Sequence, residues 1–163
     1  MNSVRAFLSS PTQPFWRYCL LAFPLAVVPS MLLFATVYGL LVLSGVDVVQ
    51  LLPRETEITV SAIFGAVVFA PVVETLILAG GIALLSRATQ RKGLVVTVSA
   101  LAWGSLHALF GVLWFFGTVW SFFVFSCAFL AWRKVSFRHG FIAASVPHAL
   151  VNISALCLSV VNV

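Results

Sequence analysis

Four polar side chains stand out in an otherwise apolar chain. They are Glu74 in APVVETLILAGG (70–81), His107 in ALAWGSLHALF, and His148 with Asn152 in SVPHALVNIS. A carboxylate and an imidazole can hold and deprotonate a water. A second imidazole and an amide N–H can donate hydrogen bonds to a developing oxyanion. Together these groups would hydrolyse an amide bond. Two histidines and one glutamate around an open water position could instead hold zinc. HExxH is absent, however, and no further carboxylate is at hand to orient the imidazoles. Zinc is therefore the second reading, and no other cofactor is expected.

The elements that must position these groups follow from composition. The chain has 163 residues, of which 62% are hydrophobic and 8% charged, with a mean hydropathy of +1.15. A soluble domain carries about 25% charged residues. Too few polar residues remain to cover a water-facing surface, so a single, integral membrane domain is expected over 1–163. The net charge of +5 does not call for nucleic acid, because basic residues in membrane proteins mark cytoplasmic loops. Cys19, Cys127 and Cys157 lie far apart in or beside apolar segments and read as small packing residues.

A spanning helix needs about 20 apolar residues. Five segments qualify, at about 16–44, 59–85, 94–113, 114–132 and 140–161, giving an all-α polytopic bundle. Gly111 and Gly117 mark the turn between the third and fourth. The first segment is too long for a cleaved signal sequence and is expected to be retained. Arg5 and Arg17 precede the first span, Arg87, Arg91 and Lys92 follow the second, and Arg133, Lys134 and Arg138 follow the fourth. The loop GVDVVQLLPRETE instead carries Asp47, Arg54, Glu55 and Glu57, with a short interfacial helix expected at VVQLL. This alternation predicts a plasma (inner) membrane protein with a cytoplasmic N-terminus and an external C-terminus.

Glu74 is the one charged residue between Thr59 and Ser86. Its place in the second segment is near mid-bilayer, where a bare carboxylate costs several kcal/mol. It is expected to face the bundle interior with a partner, or to carry a proton. Trp103 and His107 share a helical face, as do His148 and Asn152. Each of these polar groups is expected in the middle of its span. His139, beside Arg138, is expected in a solvated loop. A lone histidine of this kind would usually be a satisfied core residue; one carboxylate, two imidazoles and an amide on three helices ask for more. Small residues would let the three helices approach: Ala70, Gly80 and Gly81, then Gly104 and Ser105, then Ala144, Ser145 and Ala149. Pro71 and Pro147 would kink the helices that bear Glu74 and His148.

The stretch AP-x-x-E-T-x-x-x-x-G at Ala70–Gly80, the aromatic-x-x-x-H at Trp103–His107 and H-x-x-x-N at His148–Asn152 resemble the three motifs of the CAAX-protease and bacteriocin-processing (CPBP, or ABI) family of intramembrane endopeptidases. The resemblance covers about residues 59–160. It implies a glutamate-dependent, metal-free peptidase. Glu74 would activate water together with His107, and His148 and Asn152 would form the oxyanion hole. The substrate would be a hydrophobic or membrane-anchored peptide or protein, with a role in sorting or peptide maturation. The chain departs from the pattern at Thr75 and Ala79, where the family has a second glutamate and an arginine. Losing both members of a charged pair leaves no orphan charge, but puts activity towards prenylated peptides in doubt. The same resemblance admits a non-catalytic immunity or scaffold protein. A proton or cation carrier is a further alternative.

Overall fold

The computed structural model describes residues 2–11, 13–53 and 57–161, so Arg54 and Glu55 of the acidic loop lie outside the described residues. The elements are α1 (Asn2–Ser9), α2 (Phe15–Leu43), a 3-10 turn (Val49–Leu51), α3 (Val60–Phe64), a π turn (Gly65–Phe69), α4 (Ala70–Ala88), α5 (Lys92–Ala108), α6 (Trp114–Trp132) and α7 (Phe137–Val161). No strand occurs among the described residues. The protein is an all-helical bundle.

Among the described residues four helices are long and apolar enough to cross a membrane: Phe15–Leu43, Val60–Ala88, Trp114–Trp132 and Phe137–Ser159. Only 17% of the most apolar stretch of α2 is buried within the bundle. Leu20, Leu32, Leu40 and Leu43 of that helix all face outward. Apolar side chains turned outward in this number suit lipid, not water.

The helix α6 is the hub. It packs against α1, α2, α4, α5 and α7, and Phe122, Val124, Phe125, Ala128 and Phe129 bury most of its length. The tie between α2 and α6 comes from a proline. Pro29 has no N–H to give to the Leu25 carbonyl, and Trp120 Nε1 donates to that oxygen at 2.9 Å. One turn further, the hydroxyls of Ser30 and Ser121 share a 2.8 Å hydrogen bond. Ser126 donates to Ser99 at 3.1 Å and links α6 to α5. In lipid such bonds matter, because no water competes for the same groups.

The third expected span is shorter than its apolar run. Residues 94–113 were expected to be helical, but α5 has 17 residues and stops at Ala108. At 1.5 Å per residue it is about 25 Å long, short of the roughly 30 Å hydrocarbon core. The reason is a contact distant in sequence. The backbone of Leu52 and Pro53 lies so close to Gly111 that an added Cβ would sit 2.6 Å from it. Leu113 N donates to Leu51 O at 3.0 Å. This strap, whose expected short helix is the 3-10 turn Val49–Leu51, holds residues 109–113 in a turn. Gly111 belongs to that turn as expected; Gly117 lies inside α6.

Two smaller expectations also change. His139 is not in a loop but in the first turn of α7, where its N–H donates to the Ser136 hydroxyl at 3.2 Å, an N-cap bond. Its ring packs edge-on against Phe15. The small residues divide. Gly104 meets Phe115 at 3.0 Å from an ideal Cβ, but Gly80 and Gly81 have nothing within 4 Å. The tight approach is instead at Gly140, where a Cβ would stand 2.8 Å from Phe129 O and 2.9 Å from Arg133 N.

Gly140→Ala must push α7 away from the end of α6. We expect it to lower stability by about 1–3 kcal/mol, read as a fall in the thermal midpoint in detergent. Gly80→Ala, facing open space, leaves that midpoint unchanged or raises it.

Candidate active site

The site is built on a break in the helix that carries Glu74. In an uninterrupted α-helix the Pro71 ring would meet the carbonyl four residues back, that of Val67. The chain widens to π register over Gly65–Phe69 instead, with Ala70 N bonded to Gly65 O. In that register the next N–H, at residue 71, should serve Ala66 O, and proline has none. Asn152 Nδ2 of α7 donates to Ala66 O at 2.7 Å. Ser145 of α7 reaches Pro71 O at 3.4 Å. Two side chains of α7 thus hold backbone carbonyls of the Glu74 helix.

Glu74 and His148 meet between these ties. Glu74 is the central residue of the span Val60–Ala88. The buried stripe of α4 runs through Pro71, Thr75, Leu78, Ala79 and Ile82, and Glu74 stands at its edge. Side chains lean toward a helix's N-terminus. With α4 and α7 antiparallel, Glu74 leans back toward Pro71 and His148 leans toward Ser145, its level partner. His148 Nε2 comes within 3.8 Å of Glu74 Oε2, with side chains 4% and 23% exposed. That separation exceeds a direct hydrogen bond. Glu74 Oε2 and His148 Nδ1 are both buried without a hydrogen-bond partner.

His107 stands further back. It lies in the last turn of α5, not mid-helix as expected, because α5 ends at Ala108. Its Nδ1 is 2.9 Å from Trp103 O. A carbonyl only accepts, so Nδ1 carries a proton; in a neutral ring Nε2 then holds the lone pair. Among the described residues no hydrogen bond or ion pair joins His107 to Glu74. What the two imidazoles share is Phe122, at 5.1 Å from His107 and 5.3 Å from His148 between ring centroids.

This aromatic floor is the part that reasoning from sequence missed. Phe125 stacks on His148 at 4.8 Å. Trp103 stacks on Phe122 at 4.8 Å, with planes 5° apart. Trp114 meets His107 edge-on at 5.4 Å. Phe122 and Phe125 are three residues apart on α6, a spacing that puts both on one face; in WSFFVF that spacing is hidden among other apolar residues of the span. Thr75 and Ala79 are both buried in the core.

Zinc would need three protein ligands together. Among the described residues no three His, Cys, Asp or Glu side chains converge closely enough to hold a metal ion. No family model, curated protein or solved structure matches the chain.

His148 keeps a buried ring nitrogen without a partner, which is unfavourable for folding. His148→Phe retains a ring against Phe122 and Phe125 and removes that nitrogen. We expect an unchanged or higher thermal midpoint in detergent; a fall of several degrees would mean that the imidazole serves structure.

Proposed function

We propose that this chain is an intramembrane endopeptidase that hydrolyses a peptide bond in a hydrophobic or membrane-anchored substrate. The observation that carries the reading is the approach of Glu74 and His148 to 3.8 Å, each with a buried polar atom left unpartnered. Polar groups at this depth are normally satisfied. An unpartnered carboxylate oxygen that faces a histidine whose Nδ1 is also unpartnered fits a site kept for a reacting molecule. The motif resemblance at Ala70–Gly80, Trp103–His107 and His148–Asn152 points the same way.

In the proposed reaction Glu74 takes a proton from water. The Nε2 lone pair of His107 accepts the water's other hydrogen. The new hydroxide attacks the peptide carbonyl, and the imidazole N–H of His148 stabilises the charge that develops on its oxygen. The C–N bond then breaks, and the proton passes from Glu74 to the departing amine. Base and oxyanion donor act on one carbonyl group, so they must stand within a few Å of each other, as Glu74 and His148 do. The basic ends of α4, α5 and α6 would face the cytoplasm, with the C-terminus outside. Trimming of a sorting or anchor segment at the plasma membrane fits such a site.

The test compares peptide termini in the membrane and secreted fractions of host cells, wild type against Glu74→Gln, by mass spectrometry. Gln keeps size and hydrogen bonding but cannot act as a base. We expect a small set of termini present in the wild type and lost in the variant. Identical termini from two equally abundant, folded proteins would overturn the peptidase reading and favour a non-catalytic role.

A further inference from the structure

We infer that Asn152 is a positioning residue, which seats the Glu74 helix against α7 and does not act on the reacting carbonyl. The inference rests on the reading of Glu74 as the catalytic base. The π register assigns Ala66 O to the N–H of residue 71, and Pro71 has none. Asn152 Nδ2 fills that place at 2.7 Å, the shortest polar tie between α7 and the Glu74-bearing helix. An unmet carbonyl at membrane depth is costly, so the amide is held there firmly.

The location of this tie makes it matter. The whole segment Val60–Phe69 contributes no buried residue. Only Ala62, Gly65, Ala66 and Val67 are even partly buried there, and the Asn152 amide supplies the side-chain hydrogen bond that ties the segment to α7. From Pro71 onward the helix is held by its own buried stripe through Thr75, Leu78, Ala79 and Ile82. Glu74 stands one turn past the junction between the loosely and the firmly held parts. His148 lies along α7 between Ser145 and Asn152, the two residues that grip the opposing backbone. The amide thus closes the helix pair on the far side of the Glu74–His148 approach.

The experiment removes the need for the amide. Pro71→Ala restores an N–H, which can satisfy a carbonyl of the preceding turn in either register. The buried stripe keeps α4 in place, so any change of register is taken up by Val60–Phe69. The chain and its Asn152→Ala, Pro71→Ala and Pro71→Ala/Asn152→Ala variants are reconstituted in phosphatidylcholine vesicles. Two quantities are read: the modification of Glu74 by dicyclohexylcarbodiimide, located by peptide mass spectrometry, and the cleavage of host membrane peptides.

We expect Asn152→Ala to react several-fold faster with the carbodiimide, as Glu74 parts from α7, and to lose cleavage. We expect the double variant to return to the wild-type values in both, although it has no amide at position 152. If Asn152→Ala does not fold, the double variant still must fold and cleave. A Glu74 reactivity unchanged in Asn152→Ala, or a double variant as inactive as the single one, would overturn the inference and return the amide to the oxyanion. If the wild type itself cleaves nothing, the peptidase reading fails while the carbodiimide reactivities still decide the role of Asn152.

Discussion

The bundle depends on how it satisfies the carbonyls that Pro29 and Pro71 leave bare. In an apolar medium a helix cannot hand such a carbonyl to water. Pro29 strips Leu25 O, and Trp120 meets it at 2.9 Å. Pro71 strips Ala66 O, and Asn152 meets it at 2.7 Å. Each repair comes from another helix, so each becomes a tie. The first joins α2 to the hub α6; the second joins the Glu74 helix to α7. Lipid supplies no hydrophobic drive for helices to associate, so such bonds and close packing must do it. Gly140 against the end of α6 is the packing counterpart.

These ties explain how a carboxylate can sit at the centre of a span. Glu74 is at the edge of a buried stripe, turned to His148 rather than to lipid. Around the pair lies an aromatic floor of Phe122, Phe125 and Trp103. It holds the His148 ring by stacking, with Nε2 toward Glu74 and Nδ1 without a partner. A dry site strengthens the effect of any donor or acceptor placed in it. Free polar atoms lower stability there, which is the usual bargain of a functional site.

Much of this was legible in residue type and spacing. Composition gave the helical membrane character, and the span limits of α2, α6 and α7 lie within a few residues of the apolar runs. Glu74 and His148 were identified by their depth and come together. The rest depends on contacts between distant residues. The end of α5 is set by the strap Leu51–Pro53 lying over Gly111, which no local pattern reveals, and His107 moves to a helix end with it. The proline at 71 announced a kink, but not that the kink would take π form or that Asn152 would answer it. Gly80 and Gly81 read as a packing face and proved to look outward; among small residues, only the positions of the neighbouring helices tell the two apart.

The central claim is that Glu74 and His148 act as one unit on a reacting peptide bond. The measurement that tests it most directly is a double-mutant cycle on the rate of cleavage in vesicles, with Glu74→Gln, His148→Phe and the two combined, on a peptide identified from the host membrane. Residues that act as a unit are strongly non-additive. The account predicts that each single change removes nearly all activity and that the double variant is no slower than either. Losses that multiply, or a His148→Phe enzyme that cleaves at the wild-type rate, would contradict it.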